Sequence, residues 1–137
     1  MKVMVIVKAN ADSEAGRMPS EQDLSEMGAF NEQLVAAGIM LAGEGLHATQ
    51  RGRRIHFGHG APKVESGPFG PADQQIAGFW LWNVRSLEEA VEWASRAPFR
   101  SGGTLEVRPL IAPEDFGEAF TADLQQQEQR LRAQLQD

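Results

Sequence analysis

Apolar and polar positions fall into blocks that mark out a succession of strands and helices. Val3-Met4-Val5-Ile6-Val7 is an unbroken apolar run, mostly β-branched, between Lys2 and Lys8. Apolar side chains at successive positions predict a strand covered on both faces. A polar loop is expected from Ala9 to Pro19. Ser20 then reads as an N-cap, with Asp23 three residues on in a relative of the capping box. Leu24, Met27, Phe30, Leu34 and Val35 recur at helical spacing, and Gly38 is a natural stop because a residue without Cβ accepts a left-handed cap. Together these signals predict a helix over Glu21–Ala37.

Ile39–Ala42 opens a second strand that runs into Gly43-Glu44-Gly45-Leu46-His47. Arg53–Phe57 and Lys63–Glu65 read as hairpin strands, followed by a turn-rich loop from Ser66 to Pro71. Gly78–Val84 is the strongest strand in the chain. Ser86 and Glu89 predict a full capping box for a second helix, with Leu87, Ala90, Val91 and Ala94 as its apolar side and Pro98 beyond its end. Thr104–Leu110 is the last strand. The Gln-rich tail 113–137 reads as a helix with a narrow stripe of Phe116, Phe120, Leu124, Leu131 and Leu135. That stripe is expected to dock on the body or on a partner subunit.

With the hairpin set aside, this order is the split βαβ arrangement of ferredoxin-like α+β folds. A length of 137 residues suits a single domain, 1–137, in which 113–137 is a helical extension. Two helices cover one face of an antiparallel sheet. The other face is apolar too, because Phe79 and Leu81 point away from Trp80 and Trp82, and Met4 and Ile6 away from Val3, Val5 and Val7. An exposed apolar face of this size invites association. A homodimer, two subunits laid face to face, is the expected state.

Composition narrows the chemistry. There is no cysteine, which excludes disulfides, thiolate metal sites and cysteine nucleophiles. The net charge is −6, and Arg51-Gly52-Arg53-Arg54 is a short basic patch that reads as a solvated turn. A nucleic-acid partner is not expected, because such binding rests on clustered Lys and Arg meeting phosphates. The apolar run at the N-terminus is far shorter than the roughly 20 residues that span a bilayer. A cytoplasmic protein without a membrane partner is the expectation.

Several stretches, taken in order, resemble the YCII-related proteins of the DGPF type, in the dimeric α/β-barrel group. They are Phe30–Gly38 followed by Gly43-Glu44-Gly45-Leu46, then Ser66-Gly67-Pro68-Phe69, Ala77-Gly78-Phe79, Ser86–Ala94 and Glu106-Val107-Arg108-Pro109-Leu110. The resemblance covers Lys2 to about Leu110. It implies a ferredoxin-like subunit, a dimeric α/β barrel with a pocket, and no metal or organic cofactor. It also implies an association, in bacteria, with alternative sigma factors. Ser66 stands where the name motif has Asp, and no histidine precedes His47. The histidine–aspartate pair credited to the wider family, with its histidine in the first helix, therefore has no counterpart here.

Glu44 and His47 are the candidate catalytic residues, since a carboxylate and an imidazole beside a pocket can share acid–base work. An extended segment would turn positions three apart to opposite sides, so a bulge or turn at Gly45 would be needed to bring them together. Trp82 and Trp80 are candidate ligand-binding residues for a flat ligand, or dimer-core packing. Arg108 offers a planar fork to an anion, or a salt bridge to Glu106. Phe69 is a candidate cap on the pocket. His56 and His59 could hold a metal with Asp73 or Glu65 as the third ligand such sites need, but surface hairpin histidines are the preferred reading and no metal is expected. Ser66 has no evident histidine–acid partner. The sequence thus favours a non-catalytic protein that binds a small molecule or regulates. The alternative is a cofactor-independent lyase, isomerase or dehalogenase-like enzyme acting on a small organic acid or lactone.

Overall fold

The computed structural model describes residues Met1–Leu135. Gln136 and Asp137, which close the predicted tail, lie outside the described residues. The strands are β1 (Lys2–Lys8), β2 (Met40–Gly45), β3 (Arg53–His56), β4 (Lys63–Ser66), β5 (Ile76–Asn83) and β6 (Leu105–Pro109). The helices are α1 (Ala11–Glu14), α2 (Glu21–Ala36), α3 (Leu87–Ala94) and α4 (Ala122–Leu135). Short 3₁₀ turns occupy Thr49–Arg51, Ala72–Gln74 and Pro113–Ala119.

Four strands form one antiparallel sheet in the order β2-β5-β1-β6. β5 lies between β1 and β2, and β1 between β5 and β6, so each βαβ unit is split by a strand of the other. This is the expected ferredoxin-like α+β subunit. The hairpin β3–β4 makes a separate two-stranded sheet.

The helices cover the face carrying Val3, Val5, Trp80 and Trp82. Phe30 of α2 meets Trp80 edge-on at 5.9 Å between ring centroids and Trp82 at 6.4 Å. Leu34, Ile39, Val84 and Ala90 complete the buried cluster. Trp80 donates its indole N–H to Asn31 Oδ1 at 3.0 Å. The indole N–H of Trp82 is buried with no hydrogen-bond partner among the described residues.

Local chemistry explains the helix ends. Ser20 accepts from the Asp23 amide at 3.1 Å, and the Asp23 carboxylate accepts from the Ser20 amide at 3.2 Å, a closed capping box. α2 ends as predicted at Gly38, whose φ is +74°. The Ile39 amide donates to Leu34 O at 2.9 Å and the Gly38 amide to Val35 O at 3.0 Å. These are the two bonds of a Schellman motif, and both Leu34 and Ile39 are buried, as its hydrophobic contact requires.

Other expectations are corrected. Ala9–Pro19 is not wholly a loop, because Asn10 and Ser13 cap each other and close the single turn α1. Leu24 and Val35 are exposed, so the buried stripe of α2 is narrower than the helical spacing suggests. On α3, Leu87 and Val91 face outward and Trp93 packs inward with Ala90 and Ala94. Ser86 does cap α3, accepting from the Glu89 amide at 3.2 Å. Glu89 reaches past Ser86, however, and accepts from the Arg85 amide at 3.1 Å and its Nε at 2.6 Å. The tail is two pieces, a 3₁₀ segment broken at Gly117, where φ is +67°, and then α4. Within one chain its apolar stripe remains largely uncovered, with Phe116, Leu124, Leu131 and Leu135 all exposed.

Candidate functional site

The face of the sheet turned away from the helices is set by cross-strand pairing, because directly paired residues project to the same side. One row runs Glu44–Phe79–Ile6–Glu106 from edge to edge. The next runs Ala42–Leu81–Met4–Arg108. Lys2 and Asn83 form a third pair on the same face. Met4, Ile6, Phe79 and Leu81 thus make an apolar floor, with Glu44 on one margin and Glu106 and Arg108 on the other. Three strand spacings separate the margins, roughly 14 Å. Arg108 Nη1 lies 3.9 Å from Glu106 Oε2, the salt-bridge alternative weighed for it, and Arg108 remains exposed.

The position of Glu44 depends on an irregularity in β2. Met40 pairs with Trp82 and Ala42 with Leu81, so Leu41 is an extra residue. The bulge at Leu41 turns Glu44 to the open face. The irregularity in β2 therefore falls at Leu41, four residues before the Gly45 position where a bulge was expected. Gly43 lands on the inner face instead, where an added Cβ would lie 2.8 Å from Trp80 Cδ1.

Not all the candidates come together. His47 sits beyond β2, where the Leu46 amide donates to Ala77 O at 2.8 Å. Its ring faces Arg51 Nη1, 3.0 and 3.2 Å from the two ring nitrogens, and no hydrogen bond joins it to Glu44 among the described residues. Trp80 and Trp82 lie on the helix-covered face, inside the core. Trp82 is 0% exposed, so it touches no ligand on the open face. Two large apolar rings in one strand signal burial, and sequence alone does not say which side the helices take. His56 pairs with Glu65 at 2.8 Å rather than with His59. Among the described residues no group of three His, Asp or Glu is placed to hold a metal ion.

Phe69 belongs to a clamp next to the hairpin. Glu14 of α1 accepts from the Thr49 amide at 3.0 Å and from its hydroxyl at 2.6 Å. The Phe69 amide donates to the same hydroxyl at 3.3 Å. Gly67 has no room for a side chain, since a Cβ there would fall 1.7 Å from Thr49 O. The Arg54 guanidinium lies 4.1 Å over the Phe69 ring and donates to Gln75 Oε1 at 3.3 Å. Gln75 is a buried polar residue, and its amide nitrogen donates to Pro71 O at 3.2 Å. Glu14, Thr49 and Gln75 were not singled out in the sequence, and Arg54, read there as part of a solvated basic turn, instead packs on Phe69 and bonds Gln75. Glu14 and Thr49 are 35 residues apart, and no local pattern connects them.

Residues 1–114 match the YCII-related domain. The chain belongs to that family. No curated protein matches it in sequence. Among solved structures it is similar to 5-chloro-2-hydroxyhydroquinone dehydrochlorinase from Burkholderia phenoliruptrix AC1100, determined in complex with 2,5-dihydroxybenzoquinone. The two share 17% identity and a TM-score of 0.42, over 82% of this chain and 96% of that one. In this YCII-related chain, residues 115–135, which include most of the tail described above, lie beyond the family match. No helix among the described residues is long and apolar enough to cross a membrane.

Proposed function

We propose that this YCII-related protein binds a small molecule on the open face of its sheet, without catalysis, and that two copies face each other across it. The observation that carries this reading is the apolar floor of Met4, Ile6, Phe79 and Leu81 between Glu44 and Arg108. Binding sites are mainly apolar, with a few polar groups that fix orientation. A ligand that fits is flat and largely apolar. It carries an anionic group for Arg108, where the planar fork suits a carboxylate, and a hydroxyl or amine for Glu44. A second copy excludes water from the floor and strengthens both polar contacts.

Binding is favoured over acid–base catalysis because the two candidate catalytic groups do not meet. The His47 ring is occupied by Arg51, which leaves Glu44 without a proton-transfer partner. A thermal-shift screen of aromatic and aliphatic hydroxy acids tests the reading, since a ligand raises apparent stability by mass action. With a ligand found, Arg108→Gln is expected to weaken affinity about tenfold or more, the worth of a charge-assisted hydrogen bond. Glu44→Gln should weaken it as well, with no turnover in the parent protein. Turnover that Glu44→Gln abolishes while affinity survives would establish the enzyme instead.

A further inference from the structure

The hairpin β3–β4 stands apart from the main sheet. A two-stranded ribbon is marginal in water unless something covers it. Its pairing assigns Arg54, Glu65, His56 and Lys63 to one side and Arg53, Ser66, Ile55 and Val64 to the other. The first side is anchored to the body, through Arg54 on Phe69 and Gln75. The second is bare: Ile55 is 57% exposed, Val64 66%, and Phe57, just past β3, 82%.

A second apolar surface lies open in the tail. Between the 3₁₀ segment and α4 runs a groove of about 430 Å³, lined by Ile111, Phe116, Phe120 and Leu124 among others. The Phe116 and Phe120 rings pack at 5.6 Å and hold its wall.

The two segments carry opposite net charge. Residues 51–66 contain Arg51, Arg53, Arg54 and Lys63 against Glu65, and of these Arg53 lies on the bare side of the hairpin. Residues 111–135 contain Glu114, Asp115, Glu118, Asp123 and Glu128 against Arg130 and Arg132, with Glu128 and Arg132 paired at 2.6 Å in the groove lining. A chain of net charge −6 repels its own copies at long range, so attraction between them must be local. We infer that the β3–β4 hairpin of one copy docks in the tail groove of a second copy, with Phe57 as the anchor and Arg53 toward the acidic tail segment. An aromatic side chain entering an apolar pocket is the usual energetic centre of an interface. Where each copy gives a hairpin and receives one, the pair closes with two-fold symmetry. The inference uses none of the floor residues and does not depend on a ligand.

A cysteine-free chain allows a direct test in the full-length protein. Gly58→Cys and Gln127→Cys variants, which keep Phe57 and the groove lining, are mixed and treated with a short bis-maleimide linker. The expected product is a covalent pair with one copy of each, formed at least tenfold faster than in a mixture of Gly58→Cys with Ser101→Cys, and slowed to that control rate by Phe57→Ala. Equal rates would overturn the proposal. So would a Gly58→Cys/Gln127→Cys double variant that closes within a single chain, which would make the occupant its own hairpin. Charge provides a second arm in these cysteine variants. Arg53→Glu and Glu118→Lys should each slow linking and together restore it, whereas rates indifferent to all three combinations would overturn the electrostatic half. Linking that persists with Leu81→Glu present would separate this contact from the face-to-face pairing proposed above.

Discussion

Trp80 and Trp82 occupy neighbouring places in one core, yet their polar atoms fare differently. Trp80 N–H is bonded to Asn31, and Trp82 N–H is buried with no partner among the described residues. A buried orphan donor costs about 1–3 kcal/mol, and a satisfied one contributes about 1 kcal/mol. Replacement by Phe removes the same volume at both positions. Trp82→Phe should therefore be the milder change, by roughly 1–3 kcal/mol, because it also removes an unpaired N–H. Urea unfolding of the two variants checks the difference, and equal costs would show that Trp82 has a partner. The sequence marks both rings as buried or lining residues but does not distinguish them. The difference depends on Asn31, 49 residues away on another element.

At the scale of elements, the helices are fastened at their N-termini by charge as well as by caps. Arg100, in the connection after α3, donates to Asp23 in the first turn of α2 at 3.1 Å. That hydrogen bond, with the Ser20 cap behind it, holds the Asp23 carboxyl below its ordinary value of 3.8. Glu89 is held below 4.5, first by the Arg85 amide and then by its side chain. A carboxylate with a lowered folded pKa adds stability that is complete above the unfolded value and is lost as pH falls through the folded one. Calorimetry should show melting temperature declining as pH drops below about 4.5. The double variant Asp23→Asn/Glu89→Gln should start lower at neutral pH and decline less over that interval. Caps and the Gly38 stop were legible because they are local patterns of two to six residues. The outward turn of Leu24, Val35, Leu87 and Val91 was not, since helical spacing shows an apolar stripe but not how wide a neighbour covers it.

For the whole molecule, the split βαβ topology follows from the order of elements and the two-faced sheet from alternation in β1 and β5, and the structure bears both out. What alternation leaves open is which face the helices take. That choice placed the Trp pair in the core and left Met4, Phe79 and Leu81 outside it. Of the candidate site, Glu44 and Arg108 share the open face, and His47 does not join them. Leu81 is central to the floor. Leu81→Glu should yield a folded chain of 15.0 kDa by light scattering at micromolar concentration if the open faces pair, with little change in far-ultraviolet circular dichroism. A dimer as tight as the parent would show that the floor is not the shared surface.

The extra residue at Leu41 acts as a parity bit for the rest of β2. Sheet side chains alternate with a period of two, so whether Leu41 is paired or left out of the ladder decides inside and outside for everything after it. In an unbroken ladder, with Leu41 opposite Leu81, Glu44 would stand opposite Gly78 on the helix-covered side, a bare carboxylate driven into an apolar interior. Gly43 would move outward, and its lack of a side chain would no longer serve to clear Trp80. A single-codon deletion of Leu41 would straighten the strand and leave Glu44 opposite Phe79, whereas one more residue paired into the ladder at that point would recode which chemistry the sheet presents. A lineage that gained such a residue would need a new acidic group one step along to keep the same surface.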